Sequence, residues 1–336
     1  MKIRFRIFIL MLVCGIIARA GEYADSFLET GVSARALAMG NATGALDRNA
    51  TSFSSNPAGL AFVRQTQVGL MYTSRFGLAN HNYIGLALPL SEKSSGAISW
   101  FRFGVDDIPI RPNILKEVTD PAARRDSILA LQNYPFKTFS DLEDALFISY
   151  ARHISKSVNL GWRYSRFKIE FPWGINFKII HKKLYKLEAY GIGIDIGGRL
   201  CVSGEDLFEI KKLGKLNVGL ALKDATGTVI YWNTKRQDEI KFYPVFSFGL
   251  EQAIEQYHMH LNLGVEKDYR YRDKMRYGLE CIVKNKISFR AGINNTGMTT
   301  GLGLIYKVMS RIVHIDYSFL NHDLGATHRV GSIIEF

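Results

Sequence analysis

The sequence predicts an all-β fold, a transmembrane antiparallel β-barrel of about fourteen strands with a small N-terminal plug segment. Three observations carry that expectation. Long segments alternate apolar and polar residues with period two, an export signal opens the chain, and the chain ends on an aromatic strand. In a strand, successive side chains point to opposite faces, so such alternation gives each strand one apolar and one polar face.

The start of the chain sets the compartment. Met1-Lys2-Ile3-Arg4-Phe5-Arg6 is basic, an apolar run covers residues 7–17, and Ala18-Arg19-Ala20 has the A-x-A form of a cleavage site. This is the order of a secretory signal peptide, and the apolar run is shorter than the roughly 20 residues of a membrane-spanning helix. Residues 1–20 are therefore read as a removable signal. Cys14 comes after Val13, which is bulkier than a lipidation site favours. Loss of Lys2, Arg4, Arg6 and Arg19 takes four charges from the formal +12, leaving about +8. The basic residues are expected to be scattered over loops and strand rims; the alternative is an anionic partner, lipopolysaccharide or acidic polypeptide, and no nucleic-acid partner is expected. Cys201 and Cys281 remain in the mature chain, and the sequence leaves open whether they pair.

Residues 21–66 differ in composition from the remainder of the mature chain. The stretch 31–60 is rich in Ala and Gly, with small residues at Ala34, Ala36, Ala38, Gly40 and Ala42 that permit close backbone packing. Asn56 is placed to cap a short helix begun by Pro57. Gly40 and Gly59 can take positive φ where the chain reverses. Two roles fit: a plug inside a barrel, or an arm beneath it.

Residues 67–336 form the predicted barrel. Met259, Leu261, Leu263 and Val265 alternate with His260, Asn262, Gly264 and Glu266; Tyr190, Ile192, Ile194 and Ile196 alternate with Gly191, Gly193, Asp195 and Gly197. The same pattern recurs near residues 216–223, 287–294 and 313–319. Several such segments reach the 9–11 residues a membrane-spanning strand needs, beyond the 5–6 usual in soluble sheets. Strands are expected to begin near residues 67, 81, 95, 143, 158, 189, 215, 243, 258, 273, 286, 299, 311 and 327. Residues 158–182 count as one bent strand, with Pro172-Trp173-Gly174 at the bend. Placing both ends of the barrel in the periplasm makes the turns near 91–94, 153–156, 202–214, 254–257, 285 and 309–310 periplasmic. The longest connections, 106–142 and 223–242, then face outward with 320–326, as in outer-membrane barrels. The 106–142 loop is expected to hold a short helix capped by Asp120 with Pro121 at its first position. Phe336, ending the last strand, reads as the mark for the barrel-insertion machinery.

The sequence also carries a family resemblance. Gly31, Ser33-Ala34-Arg35-Ala36-Leu37-Ala38-Met39-Gly40, Ala42, Ala45, Asp47 and Asn56-Pro57-Ala58-Gly59-Leu60 resemble the N-terminal segment of PorV/PorQ proteins, relatives of the FadL-type outer-membrane channels. The resemblance continues through residues 145–152, 189–197, 290–292, 301–303, 316–319 and 324–329. Two places depart from it: residues 158–182 are long for one strand, and Asn49-Ala50-Thr51 stands where relatives carry acidic and small residues. The resemblance implies a non-enzymatic barrel in the outer membrane of a Gram-negative-type bacterium. It further implies a part in type IX protein secretion, through binding of secreted cargo or attachment-complex proteins. The alternative it implies is a FadL-like channel for hydrophobic small molecules. The plug motif is then Arg35, Met39, Gly40, Asn56, Pro57, Ala58 and Gly59.

The sequence has no Walker A loop, nucleophile elbow, H-E-x-x-H or C-x-x-C pair. His258 and His260 are expected to share a strand face, but with no third ligand in sight they read as polar lumen residues, and neither a metal nor another cofactor is expected. Asp195, Glu266, Glu280, Arg290, Asp316 and Arg329 fall on the polar faces of their strands, where they are expected to form a lumen charge network. Those faces, rich in Gly, Ser, Asn and charge, argue against a greasy conduit.

Overall fold

The computed structural model describes residues 26–111, 118–131, 135–159, 166–271 and 274–336. The expected signal peptide and residues 21–25 lie outside them. The strands in chain order are β1 (Gln67–Arg75), β2 (Ala79–Ser91), β3 (Ser94–Pro109), β4 (Thr138–Arg152), β5 (Ser155–Asn159) and β6 (Arg166–Glu170). Next come β7 (Trp173–Leu184), β8 (Leu187–Ser203), β9 (Lys215–Lys223), β10 (Thr228–Trp232), β11 (Gln237–Ile240) and β12 (Tyr243–Ile254). The last six are β13 (Met259–Asp268), β14 (Arg276–Val283), β15 (Ile287–Ile293), β16 (Met298–Val308), β17 (Arg311–His322) and β18 (Gly325–Glu335).

β1 pairs antiparallel with both β2 and β18, so the sheet closes on itself. Setting aside β5, β6, β10 and β11, which lengthen their neighbours, fourteen strands make the wall. Closure leaves no free edge, the condition for a sheet to lie in lipid. The rim where β1 begins and β18 ends is the near rim, and the opposite one the far rim.

The expected turn at 153–156 is absent. The pairing frame runs unbroken from Arg152 opposite Trp173 to Ser155 opposite Glu170, and the Phe171 N–H donates to the Ile154 carbonyl (2.7 Å). β4 with β5 and β6 with β7 are thus the two arms of one long hairpin that passes the near rim. Val158 lies opposite Phe167, so residues 158–159 and 166–182 lie on opposite arms and 158–182 is not a single bent strand. The ladder is interrupted at Phe171-Pro172, where proline has no N–H to give. The expected loop 223–242 also holds strand. β10 pairs with β11 and, at Ile230 opposite Gly191, with β8. The turn Asp224-Ala225-Thr226-Gly227, with φ of 50° at Asp224 and 67° at Gly227, separates β9 from this extension. In the loop after β3, a helix spans Pro121–Ala130, with the Asp120 carboxylate accepting from the Ala123 N–H (2.8 Å); none of its residues is buried.

The alternation sorts as lipid-side and lumen-side. Ile192, Val218, Leu263, Leu279, Phe289, Leu302, Ile315 and Val330 are exposed on the outside of the wall. Their neighbours Gly193, Asn217, Gly264, Glu280, Ser288 and Asp316 are buried within. A closed barrel with an apolar exterior is the form in which strands cross an outer membrane, and the chain is assigned there. No helix among the described residues is long and apolar enough to cross a membrane.

Leu279, midway along β14 and 44% exposed, tests the lipid-facing side. Leu279→Arg is expected to lower folding stability in lipid vesicles by about 2–4 kcal/mol, the scale for arginine at the midplane. Urea titration from vesicles measures it, and an unchanged midpoint would put that face outside the hydrocarbon.

Candidate functional site

The candidate site is the lumen and the N-terminal segment within it. That segment contains α1 (Ser26–Glu29), α2 (Ala34–Ala38) and two 3₁₀ turns, Ser52–Ser54 and Pro57–Phe62. Ser33 caps α2, its hydroxyl accepting from the Ala36 N–H (3.1 Å). Asn56 caps the second 3₁₀ turn through the Ala58 N–H (3.0 Å), with Pro57 first in the turn. Gly40, at φ +62°, reverses the chain after α2. Gly59 does not take positive φ; it sits inside the 3₁₀ turn, where a side chain would strike the Asp47 carbonyl.

Glycine on the wall lets this segment approach. A Cβ at Gly264 would strike the Ala42 carbonyl, one at Gly278 the Met39 carbonyl, and one at Gly292 the Gly40 nitrogen. The same holds for Gly174 against the Pro57 carbonyl, while a Cβ at Gly197 would strike the Asn56 side chain. Backbone therefore packs on backbone around much of the lumen, and Met39, Pro57 and Ala58 are buried in the contact. The Asn56 amide also donates to the wall carbonyl of Gly198 (3.2 Å).

A charged network fixes the register. Arg35 contacts Asp47 of its own segment (2.5 Å) and Glu280 on β14 (2.6 Å). Glu280 also accepts from Arg290 (2.7 Å) and Asn262 (2.8 Å), and Arg290 reaches Asp316 (2.7 Å). The Glu266 carboxylate accepts from the Gly44 N–H (3.0 Å) and pairs with Arg276 (3.0 Å). Asp195 forms a separate cluster with Lys178 (2.9 Å), which also meets Asp224 (2.7 Å). Arg329 has no carboxylate within ion-pair distance among the described residues; it donates to Thr73 (2.8 Å) and the Ser33 carbonyl (3.2 Å). The six expected lumen charges are thus all buried, but they fall into distinct groups. At the far rim Glu29 accepts from Tyr271 (2.6 Å) and pairs with Arg270 (2.8 Å). Burial and the bond to Glu29 push the Tyr271 phenol up. Burial opposes the Arg270 charge, yet Tyr243, Asp268 and Glu29 outweigh it and hold that group well above its usual range.

The expectation against a greasy conduit holds for one side of the lumen; the other side is apolar. Met71, Tyr83, Phe101, Phe147 and Ile180 point inward from β1–β4 and β7, and pack with Phe27, Val32, Phe53 and Leu60 of the N-terminal segment. Phe53 lies 4.9 Å from Phe147 and Phe27 5.6 Å from Phe101, centroid to centroid. Sequence reasoning misses these residues because its polar faces come from β8, β9, β13, β15 and β17. On β3, Ile98 and Trp100 outside flank Phe101 and Phe103 inside, so the apolar run masks which face is which. A cavity of about 80 Å³ lies where the two sides meet, touching Phe101, Phe147, Leu28, Lys178 and Asp195.

Other expected sites resolve simply. His258 sits in the turn before β13 at φ 49°, so it does not share a strand face with His260. No group of three potential metal ligands occurs among the described residues. Cys201 and Cys281 are both free thiols. Phe336, at the near rim, donates its N–H to the Thr66 carbonyl (2.9 Å) and stacks with Arg311.

No protein-family model and no curated protein matches the chain. Solved structures similar to it include the Pseudomonas putida toluene transporter TodX, at 10% identity and TM-score 0.46, covering 90% of this chain and 97% of that one. The Ralstonia pickettii toluene transporter TbuX gives 11% identity, TM-score 0.45 and coverages of 90% and 97%. The Acinetobacter baumannii outer membrane protein Omp33 gives 8%, 0.38, and coverages of 81% and 98%. At these identities and scores nothing passes from them to this chain; its architecture rests on its own strand pairing.

Gly264→Leu is expected to expel the 33–62 stretch from the lumen while the wall still closes. Limited proteolysis of the folded barrel should then cut within that stretch, which stays protected in the parent protein. Arg35→Met should act in the same direction, since removing one partner of a buried ion pair typically costs about 3–5 kcal/mol. Equal protection in both variants and the parent would contradict this packing.

Proposed function

We propose that the chain is a FadL-like outer-membrane channel in which small apolar solutes move along the aromatic side of the lumen, with the N-terminal segment as its plug. The observation that supports it is the inward row Tyr83, Phe101 and Phe147, of which Phe101 and Phe147 line the cavity with Leu28 and Val32. A lumen shaped only for ions or sugars has no use for such a surface, whereas apolar solute gains about 25 cal/mol for each Å² it removes from water. Phe27, Phe53 and Leu60 cover that surface, so passage requires the plug to shift. The reading is non-enzymatic.

The second reading is the PorV/PorQ type of barrel, which serves protein secretion by binding cargo or attachment proteins. One observation favours it: the residues carrying that resemblance are those wedged against the wall glycines and held by Arg35, Asp47 and Glu280. A barrel filled in this way would work through its rims and loops.

One pair of experiments separates the two. Under the channel reading, purified protein binds a long-chain fatty acid or monoaromatic hydrocarbon saturably at micromolar concentration, and Phe101→Asp abolishes it. Deletion of the gene leaves surface display of secreted proteins unchanged. Under the secretion reading, no such binding occurs and the deletion strain holds cargo in the periplasm. Absence of saturable binding with normal secretion would remove both.

A further inference from the structure

We infer that the far rim carries a binding site for a small soluble oxyanion, a phosphate or carboxylate group, whatever solute or partner the barrel serves. The site is a cavity of about 220 Å³ between α1, Arg75 and Phe76 at the end of β1, Tyr271 and Lys274 between β13 and β14, residues 294–296 after β15, and the far ends of β17 and β18. Arg75, Lys274 and Arg329 line it, and none has a carboxylate within ion-pair distance among the described residues. Arg329 is 2% exposed, and its hydrogen-bond partners among the described residues are the neutral oxygens of Thr73 and Ser33. Lys274 is held by the Asn295 carbonyl (2.9 Å), and Arg75 lies over the Phe76 ring.

Glu29, the carboxylate on the lining among the described residues, attracts Arg75 without forming a direct ion pair with it. Glu29 is occupied by Arg270 and Tyr271, while Arg276, also on the lining, is occupied by Glu266 and Asp268. Among the described residues the lining therefore keeps more basic than acidic side chains. Two further polar atoms on its lining are buried without a hydrogen-bond partner among the described residues: His81 Nε2 and Thr327 Oγ1. The other His81 nitrogen, Nδ1, is engaged by Thr30 (2.9 Å). Buried polar groups are ordinarily satisfied, and uncompensated buried charge is costly. An oxyanion meets the arginines and lysine and accepts from the Thr327 hydroxyl, and the hydroxyl of a hydrogen phosphate can donate to His81 Nε2. Charge-assisted contacts of this type are the stronger class of hydrogen bond. His81, Thr327 and Arg329 are buried inside the barrel, so a lipid headgroup outside the wall does not reach them.

The test is calorimetric titration of the full-length protein in phosphatidylcholine nanodiscs with inorganic phosphate and, separately, with acetate, in a buffer free of other oxyanions. One saturable site per barrel is expected for at least one of the two. Arg75→Gln combined with Lys274→Gln, both at the mouth of the cavity, should weaken binding about tenfold, the scale of a lost hydrogen bond to a charged group. The heat-induced mobility shift of the folded barrel should stay unchanged in that variant, which separates loss of the site from loss of fold. Arg329→Gln should abolish binding if it folds. Saturation by neither anion, or equal affinity in the folded double variant, would overturn the proposal. Displacement of phosphate by added lipopolysaccharide would overturn its assignment to a soluble anion.

Discussion

Arg35 ties the two parts of the molecule together. Its guanidinium meets Asp47 within the N-terminal segment and Glu280 on the wall, and through Glu280 it is coupled to Arg290 and Asp316. Alternating negative and positive groups thus run from the segment into β14, β15 and β17. Inside a barrel these charges are tolerable only as a set, because each buried ion needs its partners in place. The contact therefore specifies one seat for the segment more than it adds net stability. The backbone-on-backbone packing against Gly264, Gly278 and Gly292 depends on that seat, which brings residues 39–42 within reach of those strands.

The wall itself answers to a different constraint. Every backbone group in lipid has to be paired, and closure of β1 on β18 satisfies that requirement. Once closed, the barrel has an inside that must be filled or wet. On the β13–β17 side the filling is charge and glycine. On the β1–β4 side it is aromatic, with Phe53 between Tyr83 and Phe147. The N-terminal segment matches both: Arg35 and Gly44 face the polar side, and Phe27, Phe53 and Leu60 the apolar one. Two-sidedness of the lumen is what keeps a solute channel and a filled docking barrel both physically coherent.

Much of the wall is legible in the sequence because alternation is strongest where one face is polar. β8, β13, β15 and β17 show it plainly, with Gly, Asp, Glu or Arg recurring on the polar face. The number of wall strands comes from those periods together with even parity. Alternation fails where both faces are apolar, and so the inward Phe101 and Phe147 are invisible as a group. It also says nothing of where two strands stop pairing. The hairpin β4–β7 runs on past residues 153–156 because the ladder continues there, and Pro172 interrupts pairing without reversing the chain. The charged residues of the candidate site are legible one by one as polar-face positions. Their division into groups depends on which strands the closure brings together, a long-range property that local pattern does not encode. The small residues of 31–60 signal close packing, but their partners, the wall glycines, read locally as ordinary strand positions.

Amide hydrogen exchange across residues 33–62 of the folded, membrane-embedded protein tests the central claim most directly. If the segment is seated in the lumen by Arg35 and the wall glycines, its amides exchange as slowly as those of β13–β15. Exchange at the rate of an exposed loop, with the wall strands still protected, would contradict it.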